Sequence, residues 1–136
     1  NKHVHDPVNA IHPSAVISQS ARMAEGIMIA ANTTINPLVE IGRGVICNTS
    51  SSIDHECVID DFAHIAPGAV LCGNVKVGRG TFVGANAVIR QGISIGKNVV
   101  IGAGAVIIKD IPDNTTVVGN PQRTLAKKQS SKLLAA

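Results

Sequence analysis

A histidine flanked by two acids is the feature of this 136-residue sequence best suited to chemistry. His55 stands between Asp54 and Glu56 and is one of five histidines in the chain. Imidazole has an unperturbed pKa of about 6.5, so it can accept a proton near neutral pH. A neighbouring carboxylate can fix the imidazole tautomer and stabilise the imidazolium, and Glu56 is the candidate for that role. The residues alone leave open an ordinary exposed histidine beside surface acids.

Three further residues near His55 could take part in chemistry. His64 follows His55 by nine residues and Gly73 follows it by eighteen. Cys57 lies two residues after His55, which raises the alternative of a covalent intermediate on its sulfur. What these spacings mean depends on the elements that carry them.

A six-residue repeat runs through most of the chain. Seventeen consecutive blocks of six, counted from Ile11 to Ile111 without an insertion, begin with Ile, Leu or Val in fifteen cases. The fifth position is always Ala, Ser, Cys, Thr, Val or Ile, and the fourth is Gly or Asn in ten blocks. The first and fifth positions lie two residues apart across each block junction, so both point to one side of a short strand. Gly and Asn tolerate the positive φ that a sharp corner requires.

This period predicts an all-β, left-handed parallel β-helix of just under six coils. Three blocks make one triangular coil of eighteen residues, and successive coils stack about 4.8 Å apart. The first-position side chains, each worth about 1.5–3 kcal/mol when buried, would build a core without aromatic residues, which form only 1% of the chain. A β-sandwich or barrel would instead show hairpin turns every 8–12 residues, and the sequence does not.

The repeat divides the chain into three parts. We expect a lead-in segment at 1–10, the β-helix domain at 11–121, and a basic C-terminal tail or short helix at 122–136. The basic residues of the last part either meet phosphates of a small ligand or form a solvated tail. They are Arg123, Lys127, Lys128 and Lys132.

Composition argues against several classes of function. The near absence of aromatic residues disfavours nucleic-acid binding, because few side chains can stack on bases. The longest apolar run, at 99–108, is too short to cross a bilayer, so we expect no membrane partner. Three cysteines cannot pair completely, which favours a reducing, cytoplasmic compartment.

Because one coil contains eighteen residues, spacing along the chain predicts which residues lie above one another. Gly73 should lie one coil above His55, where a position without a side chain leaves room for a substrate. His64 is half a coil from His55 and should sit around the prism from it. If both histidines serve one site, the simplest geometry is a cleft between adjacent subunits of a homotrimer. Cys57 occupies an inward fifth position, which favours an inert core thiol over a covalent intermediate.

Small residues form a column higher in the helix. Ala85 and Ala103 are eighteen residues apart and should stack, as should Gly84 and Gly102. A column of small side chains leaves either a groove for a ligand along exposed backbone amides or simply close coil packing.

Several stretches resemble the sugar acetyltransferases grouped with sialic acid O-acetyltransferases and nucleotide-linked 4-amino-sugar N-acetyltransferases. They are IHPSA at 11–15, NTSSSIDHEC at 48–57, HIAPGA at 64–69, GN at 73–74, KDIP at 109–112 and VGNP at 118–121. The resemblance covers about residues 11–125. Family members normally carry a small Rossmann-like domain before the β-helix; the sequence here lacks it, so we expect either a piece of a longer protein or a member that receives its sugar differently.

The resemblance implies a role for each matching residue. His55 would be the general base and Glu56 would raise its basicity. Asn48 would bind the sugar, although a turn asparagine is the alternative. The residues expected to meet acetyl-CoA, the only cofactor implied and used as a co-substrate, are His64, Gly73, Ala85, Gly102, Ala103 and Gly119. No metal is required.

The leading expectation is N-acetylation of a nucleotide-linked 4-amino-4,6-dideoxy sugar in surface-glycan biosynthesis, by direct attack on the acetyl-CoA thioester with His55 as general base. The alternative is O-acetylation of a sugar such as sialic acid. A β-helical carbonic anhydrase is more remote, because zinc sites of that type need three protein ligands. An inactive structural β-helix is the remaining possibility.

Overall fold

The computed structural model describes residues 8–126, which wind into a three-sided β-helix of nineteen short strands. We name the sides faces A, B and C. Face A contains β1 (Ala10–Ile11), β4 (Met28–Ile29), β7 (Ile46–Cys47), β10 (His64–Ile65), β13 (Phe82–Val83), β16 (Val100–Ile101), β18 (Thr116–Val118) and β19 (Arg123–Thr124). Face B contains β2 (Val16–Ile17), β5 (Thr34–Ile35), β8 (Ser52–Ile53), β11 (Val70–Leu71), β14 (Val88–Ile89) and β17 (Val106–Ile107). Face C contains β3 (Arg22–Met23), β6 (Glu40–Ile41), β9 (Val58–Ile59), β12 (Lys76–Val77) and β15 (Ser94–Ile95).

The strand register confirms the predicted coil. Val70 pairs with Val88, and Lys76 pairs with Ser94, each eighteen residues on and parallel. The last coil is shorter, because Ile101 pairs with Val117 after sixteen residues. The repeat therefore loses two residues after the seventeenth block begins.

The corners show why the fourth position is restricted. Every fourth-position residue from Gly26 to Gly104 has positive φ. Most are Gly or Asn, which adopt this conformation at little cost. Leu38, Glu56 and Phe62 are bulky exceptions, with φ of 63°, 62° and 59°.

The core is a column of first-position and fifth-position side chains. From Ile29 to Ile107 every first-position residue is buried, which confirms the predicted use of small aliphatic layers. The expectation that all seventeen are buried is wrong for the lowest coil. Ile11 is 42% exposed and Ile17 and Met23 are half-buried, because only the coil above covers them within the described residues.

The C-terminal part differs from the predicted helix. Arg123–Thr124 forms β19, which pairs antiparallel with β18, and no helix occurs among residues 8–126. Gln122 explains the extended path: its Oε1 accepts hydrogen bonds from the amides of Ile108 and Lys109, at 2.7 and 2.8 Å. Capping the top coil in this way competes with helix formation at Gln122. The rest of the predicted helix, the basic residues Lys127, Lys128 and Lys132, and residues 1–7 of the lead-in segment lie outside the described residues.

The three faces present different outer surfaces. The outward residues of face C include Arg22, Glu40 and Lys76. On faces A and B the outward residues are mostly apolar. The apolar ones include Met28, Ile46, Phe82 and Val100 on face A and Val16, Val70, Val88 and Val106 on face B. No helix within residues 8–126 has the length and apolarity to cross a membrane.

Candidate active site

His55 lies at the corner between faces B and C, and a network beneath it fixes the backbone. Its amide donates to Asp54 Oδ1 at 2.7 Å, and Asn36 Nδ2 donates to the same oxygen at 3.1 Å. Asn36 lies one coil below Asp54, eighteen residues earlier in the sequence. Neither Asn36 nor Asp54 was expected in the site from the sequence. The eighteen-residue spacing of an amide and a carboxylate was the signal that could have identified this pair.

Glu56 contacts the imidazole as predicted. Its Oε1 lies 3.3 Å from His55 Nδ1, with the two side chains 58% and 50% exposed. A carboxylate at Nδ1 favours the tautomer that carries the proton on that nitrogen. Nε2 is then unprotonated and able to accept a proton.

Gly73 lies next to the imidazole, one coil up, as the register predicted. A Cβ built on Gly73 would lie 2.5 Å from both Cε1 and Nε2 of His55. The space at this position is therefore filled by the edge of the ring. The amide N–H of Gly73 has no hydrogen-bond acceptor among residues 8–126.

His64 lies on face A, so within one chain it is on a different side of the prism from His55, as expected from the nine-residue spacing. Asn48 Nδ2 lies 3.3 Å from His64 Nε2, and the Phe82 ring meets the imidazole edge-on at 5.1 Å. Partial burial lowers the pKa of His64 below its usual 6.5. Phe82 was absent from the expected site, although it lies eighteen residues after His64.

Asn48 is held by its own chain. Its Oδ1 accepts a hydrogen bond from the Thr49 amide at 2.8 Å, while its Nδ2 faces His64. The structure therefore joins Asn48 to the proposed cofactor residue rather than to His55. Its role in binding the sugar stays a prediction.

The column of small residues lies at the corner between faces A and B. Ala85 is half-buried and Ala103 is exposed. Neither amide N–H has a hydrogen-bond acceptor among residues 8–126. These are the free donors that a ligand with amide carbonyls, such as pantetheine, would need.

Gly102 and Gly119 have structural contacts near this column. Gly102 is buried, its amide donates to Val117 O, and a Cβ would lie 2.8 Å from Val118 Cγ1. Gly119 is half-buried with φ of 90°, and its carbonyl accepts from Val106 N. Gly102 therefore has a packing role inside the corner. The cofactor roles of both glycines stay predictions.

The described cysteines are free thiols, and two of them are unreactive by burial. Burial raises the pKa of Cys57 to about 11 and that of Cys47 to about 12. A thiol must ionise to act as a nucleophile, so Cys57 is poorly suited to a covalent step. Within residues 8–126 of one chain, no group of three or more His, Cys, Asp or Glu side chains gathers to hold a metal.

The chain is similar to known acetyltransferases along most of its length. Residues 74–109 match the family described as bacterial transferase hexapeptide (six repeats). GDP-perosamine N-acetyltransferase of Escherichia coli O157:H7 is 34% identical over 131 residues, which are 93% of this chain and 59% of that protein. The chain belongs to the hexapeptide-repeat transferases.

Solved structures place the chain within the left-handed β-helices of this family. Perosamine N-acetyltransferase of Caulobacter crescentus, solved with CoA and GDP-perosamine, is 38% identical with a TM-score of 0.89, and the match covers 90% of this chain and 58% of that one. The acetyltransferase domain of PglB from Neisseria gonorrhoeae FA1090, solved with acetyl coenzyme A, is 41% identical with a TM-score of 0.86. That match covers 88% of this chain and 58% of the other. The predicted resemblance to nucleotide-linked amino-sugar N-acetyltransferases is confirmed, and the chain spans a little under three fifths of the length of these relatives.

Proposed function

We propose that this hexapeptide-repeat transferase moves an acetyl group from acetyl-CoA to the amine of a nucleotide-linked 4-amino-4,6-dideoxy sugar. The observation that carries the proposal is the His55–Glu56 contact at 3.3 Å beside Gly73. The arrangement places an oriented base next to the backbone N–H of Gly73, which has no hydrogen-bond acceptor among residues 8–126. Relatives that act on GDP-perosamine supply the acceptor class.

The chemistry is direct attack on the thioester. His55 Nε2 accepts a proton from the sugar amine while the nitrogen attacks the acetyl carbonyl, and Glu56 stabilises the resulting imidazolium. The free N–H of Gly73 donates to the oxygen of the tetrahedral intermediate. The carbon–sulfur bond then breaks, the imidazolium returns a proton to the leaving thiolate, and CoA and the N-acetyl sugar are released.

The acetyl-CoA side of the site is formed around face A and the adjoining A–B corner. His64, kept neutral by its lowered pKa, can hydrogen-bond the acetyl group or pantetheine without carrying a charge. The free amides of Ala85 and Ala103 bind pantetheine carbonyls, and Gly119 approaches the nucleotide end of the cofactor. Asn48 orients His64 and lies within reach of the sugar.

The active assembly is a homotrimer with each site between two subunits. His55 at the B–C corner and His64 on face A lie on different sides of one chain, so one site needs two chains to combine them. The apolar outer residues of faces A and B favour chain contacts there, whereas face C carries charges. We further propose a cytoplasmic protein, since acetyl-CoA and the free thiols both suit that compartment.

An acetyl-transfer assay tests the proposed function. The chain is given acetyl-CoA with GDP-perosamine, other nucleotide 4-amino sugars, or hydroxyl sugars including sialic acid, and free CoA thiol is measured. We expect turnover with an amino sugar and a new amide bond in the product. Turnover only with hydroxyl sugars would replace the proposal by O-acetylation, and turnover with none of these acceptors would contradict it.

A further inference from the structure

We propose that Gly73 is a positioning residue, which fixes the orientation of the His55 imidazole by having no side chain. The inference rests on the proposed role of His55 as the base. It gives Gly73 a second task beside the amide that faces the oxyanion. That task depends on the missing Cβ, whereas the first depends only on the backbone.

The contacts of a Cβ at this position single out one neighbour. The three nearest atoms would all belong to the His55 ring, namely Cε1 and Nε2 at 2.5 Å and Cδ2 at 3.2 Å. Side-chain carbons in contact normally lie about 3.5–4.0 Å apart. A methyl group and the imidazole therefore cannot share the space, and the ring is the part free to move.

Other glycines of the helix are needed for a different reason. A Cβ on Gly78 would meet the backbone of Gly96 at 2.4 Å, and one on Gly84 would meet the carbonyl of Ile101 at 2.5 Å. Close stacking of backbone explains those two residues. Gly73 has no backbone atom among its three nearest contacts, so coil packing does not account for it.

Backbone conformation does not require glycine at this position either. Gly73 lacks the positive φ of the corner residues that follow in fourth position. Alanine occupies the same third position in other blocks, as Ala31, Ala85 and Ala103. The fold thus accepts a Cβ here, and the ring of His55 is what excludes it.

The expected consequence concerns both nitrogens of the base. A methyl group at residue 73 pushes the Cε1–Nε2 edge away, and the ring must rotate about its side-chain torsions to avoid it. Rotation breaks the contact of Nδ1 with Glu56 and moves Nε2 from its place beside the free amide. The variant retains the base and the amide N–H but loses their alignment.

The test compares Gly73→Ala with Gln91→Ala, which changes the same third position at the same corner one coil higher. We expect Gly73→Ala to lower kcat about a hundredfold, the cost of misplacing a catalytic group by about 1 Å. The KM for acetyl-CoA should stay within about twofold, and Gln91→Ala should behave as the parent protein. In a His55→Ala background, Gly73→Ala should lower kcat no further, because the two residues act as a unit.

A crystal structure of ligand-free Gly73→Ala separates displacement of the base from obstruction of a substrate. We expect the fold unchanged and the His55 ring rotated away from residue 73. An imidazole in its original place, or parent-like kcat, would overturn the inference while leaving the proposed function intact. If His55→Ala itself were fully active, the proposed role of His55 would fail first.

Discussion

The two histidines of this β-helix occupy contrasting surroundings. His55 sits at an exposed corner with a carboxylate at Nδ1 and a side-chain-free residue beside its other edge. His64 lies on a sheet face against an amide and an aromatic ring, and burial lowers its pKa. The first environment orients the ring through a carboxylate, whereas the second favours a neutral ring.

The contrast explains how one repeat can carry the two roles proposed for these histidines. All corners share a backbone conformation, so the proposed catalytic corner is distinguished by its residues, His55 and Glu56 with Asp54 beneath them. A sheet face offers a flatter, partly apolar surface, and His64 with Phe82 makes a platform better suited to binding than to proton transfer. Substitutions at His55 and at His64 should therefore separate loss of catalysis from loss of binding.

The largest effect is expected for His55→Ala. Loss of the general base should lower kcat by roughly 10²–10⁴-fold with little change in KM for acetyl-CoA. Steady-state kinetics measures this, and circular dichroism with sedimentation should show the fold and assembly intact. Parent-like turnover would remove His55 from the mechanism.

A smaller effect of a different kind is expected for His64→Ala. Loss of a hydrogen bond worth about 1.4 kcal/mol should raise the KM for acetyl-CoA about tenfold and affect kcat less. The same kinetic measurements apply, with varied acetyl-CoA at saturating acceptor. If kcat fell as far as in His55→Ala with KM unchanged, the division between base and binding residue would be wrong.

Glu56→Gln should have a modest effect. The side chains of His55 and Glu56 are each at least half exposed, and such pairs contribute at most about 1 kcal/mol, so kcat should fall about fivefold. Glutamine keeps the size and a hydrogen-bond acceptor but removes the charge. A loss as large as that of His55→Ala would show that the carboxylate does more than orient the base.

The smallest effect concerns the acid stability of the protein. Because the folded-state pKa of His64 is lowered, the unfolded chain binds this proton more readily, so the stability contributed by neutral His64 declines as pH falls through 6.5. Urea unfolding at pH 7.5 and 5.5 should show a smaller loss of stability in His64→Gln than in the parent. An NMR titration midpoint of His64 above 6.5 would contradict the expected direction of the pKa shift.

The repeat made much of the fold predictable from sequence. Strand positions, the eighteen-residue register and the inward placement of Cys57 follow from periodicity, because each block meets the same neighbours. The shortened last coil and strand Arg123–Thr124 were missed, since they depend on Gln122 capping two amides across the coil. A helix at that point was the wrong expectation because local propensity ignores such a contact.

The site was predictable in position but less so in contacts. Stacking of Gly73 over His55 follows from register, yet the filling of that space by the ring depends on a side-chain torsion. The Asn48–His64 contact joins residues sixteen apart on successive coils, and Asn36 supports Asp54 from the coil below. Packing between coils, rather than spacing along the chain, determines these details.

A crystal structure of the protein with CoA and a nucleotide 4-amino sugar would show whether one site combines two subunits. We expect a trimer in which the acceptor nitrogen lies within about 3.2 Å of His55 Nε2 of one subunit. Pantetheine should contact His64 and the amides of Ala85 and Ala103 of its neighbour. A monomer that binds both ligands would contradict a site shared between subunits. A CoA sulfur far from His55 would contradict the placement of His55 in that site.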